Sequence, residues 1–174
     1  MNKDINQSGV SPLMDLFYIF SSGINETSKI AAIISLFLRP GDAVILTGEL
    51  AAGKTYFVKA LALGLGCTEL VTSPTYAIAH FYDMKSGSLL HIDLYRLSGV
   101  TEFRDLGLEE YFPDSITVVE WGDKITEEFP DYLSIGFDFA GPTENHRKLT
   151  FFCVGERWIS EMPLLKKELL DFQR

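Results

Sequence analysis

Cysteine is scarce in this 174-residue chain: Cys67 and Cys153 are the only two. They lack metal-ligand spacing and are too few for a disulfide framework, so they read as buried thiols in a reducing compartment. Positive charge is also in short supply, with 15 Lys and Arg against 24 Asp and Glu and a formal net charge of -9. That balance excludes nucleic-acid binding through the overall field and leaves any RNA role indirect or very local. No segment comes near the ~18 uncharged residues that a membrane span needs. The opening MNKDINQSGVSP has no apolar signal-peptide core, and a cytoplasmic protein away from membranes is the expectation. Internal repeats, low-complexity tracts and interdomain linkers are lacking too.

What remains is a globular composition, 47% hydrophobic and 22% charged, of one domain's length. The reading is a single domain over residues 13–174 behind a polar tail, residues 1–12, expected to be disordered and closed by a Ser-Pro breaker.

Residues Gly48 to Thr55, GELAAGKT, fit the phosphate-binding loop pattern G-x-x-x-x-G-K-[ST]. The apolar, partly β-branched DAVIL (Asp42 to Leu46) before it predicts a strand, and KTYFVKALALGLG after it predicts a helix from Lys54 to about Leu65, stopped by Gly66. Gly48 and Gly53 let backbone N–H groups converge at the positive end of that helix, where phosphate oxygens are the natural occupant. Lys54 is expected to reach the β- and γ-phosphates, and the Thr55 hydroxyl to ligate a Mg²⁺ bridging them.

Leu13 to Ser21 reads as a first strand, followed by a helix capped by Thr27 or Ser28 and ended by Arg39-Pro40-Gly41. From Val71 two alternating strands flank a Lys85 to Ser88 turn as an antiparallel hairpin. Thr101 to Tyr111 reads as a short helix or helical pair broken at Gly107 and closed by Pro113. Strands follow at Ser115 to Glu120, Tyr132 to Phe139 and Lys148 to Val154, and an amphipathic helix runs from about Ile159 to Phe172. The expected fold is α/β of the P-loop NTPase type, three-layered, with a mixed, mainly parallel sheet that includes the hairpin.

A phosphate loop needs a second source of magnesium-shell oxygens, usually an acidic residue at a strand end. Asp93, ending LLHID, and Glu120, ending ITVVE, both qualify, and Glu120 is the sharper candidate for holding a metal-bound water or orienting the attacking one. With Lys54 they form the candidate catalytic set. Thr75, in Ser73-Pro74-Thr75-Tyr76, offers a hydroxyl or carbonyl toward the γ-phosphate, although spacing alone favours an ordinary proline turn. His91 faces the same way as Asp93 and reads as a histidine hydrogen-bonded in the sheet sooner than as a metal ligand. Arg96 and Arg104 are candidate charge neutralisers, with pairing to the abundant carboxylates favoured. Trp121 reads as packing.

Taken together and in order, GELAAGKT, SPTY, HIDLYRL and VVEWGD resemble the TsaE family of bacterial ATPases over about Asn25 to Phe151. These proteins take part in making N6-threonylcarbamoyladenosine beside the anticodon of tRNAs that read ANN codons. The resemblance implies that Gly48, Glu49, Leu50, Ala51, Ala52, Gly53, Lys54, Thr55 and Tyr56 line the ATP site. It implies Mg²⁺ at Thr55, Glu120 and Asp93, a role for Asp93 in hydrolysis, a switch-like loop at Ser73 to Tyr76, and Thr27 near the base. It also implies partners, TsaD and TsaB, whose complex is reset by ATP turnover and which carry out the threonylcarbamoyl transfer.

Two departures stand out: Ala51 replaces the family's middle glycine and Tyr56 the threonine after Thr55. If position 51 needs positive φ, its alanine strains the loop by roughly 1 kcal/mol, and the Tyr56 ring must find room beside base or ribose. The alternatives are a small-molecule kinase, for which no arginine cluster forms a lid, and a guanine-specific switch, whose Asn-Lys-x-Asp signature is not matched by Asn2-Lys3-Asp4.

Overall fold

Apolar residues at helical or alternate spacing sort this chain into a single mixed sheet with helices packed on it. The computed structural model describes residues 16–172; the expected N-terminal tail and the first residues of the expected opening strand lie outside them. Within the described residues the strands are β1 (Phe17–Ser21), β2 (Ala43–Gly48), β3 (Ala79–Asp83), β4 (Ser88–Asp93), β5 (Ser115–Glu120), β6 (Tyr132–Phe139) and β7 (Arg147–Val154). The helices are α1 (Ile24–Ser35), α2 (Lys54–Gly64), the short α3 (Val100–Arg104) and α4 (Glu156–Phe172), with 3₁₀ segments at Leu108–Asp114 and Gly122–Glu128.

The seven strands lie in the order β1-β7-β6-β2-β5-β4-β3. β6, β2, β5 and β4 form a parallel centre, and both flanks are antiparallel: β3 on β4 at one edge, β7 on β6 and β1 on β7 at the other. The sheet is therefore mixed, as expected, but not mainly parallel: three of the six strand pairings among the described residues are parallel, confined to the middle, and three are antiparallel, because β4 returns on β3 and β7 on β6 as hairpins and β1 pairs with β7 at the edge.

One face carries α1, α2 and α4. Ile30, Ala31 and Ile34 of α1, Phe57, Val58 and Leu61 of α2, and Trp158, Met162, Leu165 and Leu169 of α4 are all buried there against Val44, Leu46, Val118, Ile135 and Phe151. Their i, i+3, i+4 spacing puts each set on one stripe, which is why these segments are helices and why that stripe faces the sheet. The opposite face is covered by less: α3 and the 3₁₀ segments close a second cluster of Ile45, Leu90, Ile92, Val119, Phe103, Ile125 and Phe129. The third layer is thus thin and lies over the β2-β5-β4 side.

Several boundaries differ from the sequence reading. The first helix begins at Ile24 with Gly23 before it, so neither Thr27 nor Ser28 caps it; instead the Glu26 carboxylate accepts the Ser22 N–H at 2.6 Å. Ser73 to Ile78 is not strand: a turn closes from Ile78 N–H to the Pro74 carbonyl, and Ile78 takes φ 72°, which breaks the alternation. Gly107, at φ 64°, does separate two short helical pieces, but Pro113 lies within the second. The last helix starts at Glu156, directly after Gly155 (φ 87°), where Asp131 accepts the Arg157 N–H at 2.9 Å.

Candidate functional site

Parallel strands end on one edge of the sheet, and that edge gathers the chain's unusual polar residues. β2 runs out through Gly48 into the loop, α2 starts at Lys54, and in the parallel pairing of β4 with β5 Asp93 lies beside Glu120. Gly48 has φ 125°, and a Cβ there would meet the Phe137 carbonyl oxygen of β6 at 2.3 Å, so the chain can turn tightly against β6 only without a side chain. Gly53 caps α2 at φ 107°. Ala51 sits at φ 63°: the position does require the left-handed region, and the loop carries that strain in an alanine.

Lys54 is almost wholly buried. Its ammonium donates to the Gly48 and Glu49 carbonyls at 2.6 and 2.8 Å and lies 4.0 Å from the centre of the Trp121 ring. Burial pushes its pKa below the ordinary lysine value, while Glu120, Asp93 and Asp123 act in the opposite sense. Trp121 therefore packs, as expected, but it packs under the lysine, at φ 59° and tilted by 50° against the Tyr95 ring at 5.2 Å.

One residue on, the Thr55 hydroxyl donates to Glu120 Oε2 at 2.9 Å. The other oxygen of that carboxylate is 2.9 Å from His91 Nε2, and both residues are buried. His91 is thus a histidine bonded in the sheet. Asp93 accepts from the Thr75 hydroxyl at 2.5 Å and from the Tyr95 N–H at 2.9 Å, and the Ser73 and Thr75 hydroxyls are 2.6 Å apart. The SPTY turn is thereby tied to the carboxylate side of the site.

These groups line a cavity of about 300 Å³, bounded by Leu50 to Tyr56, Ser73, Thr75, Asp93, Tyr95, Glu120 and Trp121. Gly48 and Glu49 do not line it; their carbonyls accept from Lys54, which does. Tyr56 also borders a smaller cavity of about 50 Å³ with Thr27, Asn145 and Arg147, and its hydroxyl is 3.0 Å from Ser28 Oγ. Thr27 is buried, with its hydroxyl 2.8 Å from Ser21 Oγ. Arg96 and Arg104 are not brought in: Arg96 stacks on Tyr76 at 4.1 Å, and Arg104 pairs with Glu127 and Glu128 at 3.3 and 2.6 Å. Ser73 belongs to the segment singled out as switch-like, whereas Tyr95, Asn145 and Arg147 are additions that the sequence reading did not make; only the HIDLYRL run pointed near Tyr95.

The donor set suits a polyphosphate and a hard cation. A helix N-terminus and a buried ammonium are the kinds of group that attract anionic oxygens, while Thr55 and Glu120 present two oxygens 2.9 Å apart. Among the described residues no three His, Cys, Asp or Glu cluster as a self-sufficient metal cage. The pair of one hydroxyl and one carboxylate is chemistry that fits Mg²⁺, which takes one or two protein oxygens and fills the remainder from phosphate and water. No helix of the described residues is long and apolar enough to cross a membrane.

A family model described as "Threonylcarbamoyl adenosine biosynthesis protein TsaE" matches residues 21–149. Among curated relatives, the tRNA threonylcarbamoyladenosine biosynthesis protein TsaE of Bacillus subtilis is 43% identical over 135 residues, covering 76% of this chain and 83% of that protein. The protein of the same name from Streptomyces coelicolor is 44% identical over 131 residues, covering 72% and 88%. The crystal structure of Bacillus subtilis YdiB superposes with a TM-score of 0.74 at 34% identity, covering 94% of this chain and all of that one.

Proposed function

This chain belongs to the TsaE family, and on that premise we propose that it is a P-loop ATPase: it binds ATP with Mg²⁺ and hydrolyses it as an accessory of tRNA N6-threonylcarbamoyladenosine formation. Its partners in this reading are TsaD and TsaB, and it acts on their complex in the cytoplasm without holding RNA itself.

The observation that carries the reading is the contact between the Thr55 hydroxyl and the Glu120 carboxylate, beside Lys54 and at the mouth of the loop. Lys54 binds the β- and γ-phosphates, exchanging its carbonyl partners for theirs. Thr55 and Glu120 are the residues that would hold Mg²⁺, which when bound neutralises charge on the phosphate oxygens. Glu120, fixed by His91, would orient the attacking water; Asp93 holds the Thr75 turn against the same edge and is the second candidate for that task. Thr27 and Tyr56 share the smaller adjoining cavity, where the base or ribose would rest.

The small-molecule kinase alternative draws no support from Arg104, whose guanidinium is committed to Glu127 and Glu128. ATP hydrolysis measured with and without the TsaD and TsaB proteins tests the reading. Slow turnover alone, stimulated by the partners, is expected. Phosphoryl transfer to a small acceptor without them would favour the kinase. Lys54→Ala is expected to abolish ATP binding by calorimetry, and unchanged affinity would remove the phosphate-loop assignment.

A further inference from the structure

A phosphate loop works only if its amides point inward, and something must hold the matching carbonyls outward. Arg147, the first residue of β7, is far from the loop in sequence, yet its Nε donates to the Ala52 carbonyl at 2.7 Å and its Nη2 lies 3.5 Å from the Ala51 carbonyl. Its Nη1 donates to the Glu144 and His146 carbonyls at 2.5 and 2.9 Å, and the guanidinium plane stacks 4.2 Å from the Phe139 ring. The fork is thus anchored at one end to the β6–β7 turn and at the other to the loop.

In a trans peptide the C=O of one residue and the N–H of the next point in opposite directions. Holding the Ala52 carbonyl toward Arg147 therefore directs the Gly53 N–H away from it. The same relation links the Ala51 carbonyl to the Ala52 N–H, which in this structure turns back to the Glu49 carbonyl at 3.2 Å inside the loop. Ala51 at φ 63° is the strained residue of this segment, and a left-handed alanine persists only where its surroundings over-determine it.

The geometry points to Arg147 as a positioning residue for nucleotide binding: its guanidinium clamps the loop from behind and, by holding the Ala52 carbonyl, aims the Gly53 amide at the phosphates. This rests on the nucleotide-binding reading above. Arginine is required because one planar group must serve carbonyls on two separate segments while lying flat on an aromatic ring.

The test compares wild type with Arg147→Ala and Arg147→Lys, using calorimetry with ADP and with inorganic pyrophosphate, and amide NMR of Gly53. Loss of the clamp should weaken both ligands about tenfold or more. Arg147→Lys should behave like Arg147→Ala, since an ammonium keeps the charge and loses the fork. The Gly53 amide resonance should move in both variants before any ligand is added. Pyrophosphate affinity that stays at the wild-type level would overturn the inference and make Arg147 a contact of the base side. A lysine variant with wild-type, strongly salt-dependent affinity would reduce its role to charge, also overturning it. Wild-type protein that binds no ADP would sink the nucleotide reading instead, and the ligand-free Gly53 resonance then decides alone: unmoved in both variants, it refutes the clamp.

Discussion

The hydroxyl of Thr55 and the carboxylate of Glu120, 65 residues apart in the chain, meet at 2.9 Å across the mouth of the phosphate loop. The meeting joins the first turn of α2 to the last residue of β5, so a hard cation placed there would be held by two rigid elements. Glu120→Gln keeps the shape and the hydrogen-bonding capacity toward Thr55 but removes the negative charge. It is expected to retain ATP in calorimetry and to lose about 10²-fold or more in turnover. Normal turnover would shift the role to Asp93, for which Asp93→Asn is the matching assay.

Ala51→Gly should stabilise the protein. A left-handed alanine costs about 1–2 kcal/mol, and glycine's looser unfolded chain gives back roughly 0.4–1 kcal/mol of that. A net gain of about 0.5–1 kcal/mol in urea unfolding is expected, and a net loss would mean that residue 51 does not occupy φ 63° in solution.

Two glycines of the same loop should differ. At Gly48 a methyl would lie 2.3 Å from the Phe137 carbonyl oxygen in addition to the φ penalty, whereas at Gly53 only the φ of 107° opposes it. Gly48→Ala should cost about 2–4 kcal/mol, combining overpacking with backbone strain, and Gly53→Ala distinctly less. Equal losses on thermal unfolding would contradict the close approach of β2 and β6.

Neither thiol should react readily. Cys67 and Cys153 are both buried, and burial pushes the Cys67 thiol up, so its thiolate is scarcer than in a free cysteine. Ellman's reagent is expected to label the native protein very slowly and to count two thiols in guanidinium chloride. Rapid native labelling would show that the α2 side of the core opens easily.

Much of this molecule was legible in its sequence because the signals were local. GELAAGKT between a β-branched run and a helical stripe placed β2, the loop and α2, and strand-end carboxylates placed Asp93 and Glu120 on the right edge. His91 and Asp93 share a face because a strand alternates. What failed depended on long-range geometry. Arg147 clamps carbonyls 95 residues earlier in the chain, a relation no spacing encodes. Gly122–Glu128 lacks any period, with Ile125 at φ -134° inside it, and went unread as a helical element. Ser73 to Ile78 offers two readings, the start of an alternating strand and a proline turn; the turn is the favoured one at Ser73 to Tyr76, and the Thr75 bond to Asp93 and the positive φ of Ile78 hold it so.

Lys54 already has partners, the carbonyls of Gly48 and Glu49 and the face of Trp121. The loop thereby carries its own rival to any incoming anion, and occupancy is an exchange reaction in which internal bonds are surrendered as external ones form. On the proposed reading, affinity for a nucleotide would measure a difference between two well-satisfied arrangements, and the internal one would speed release.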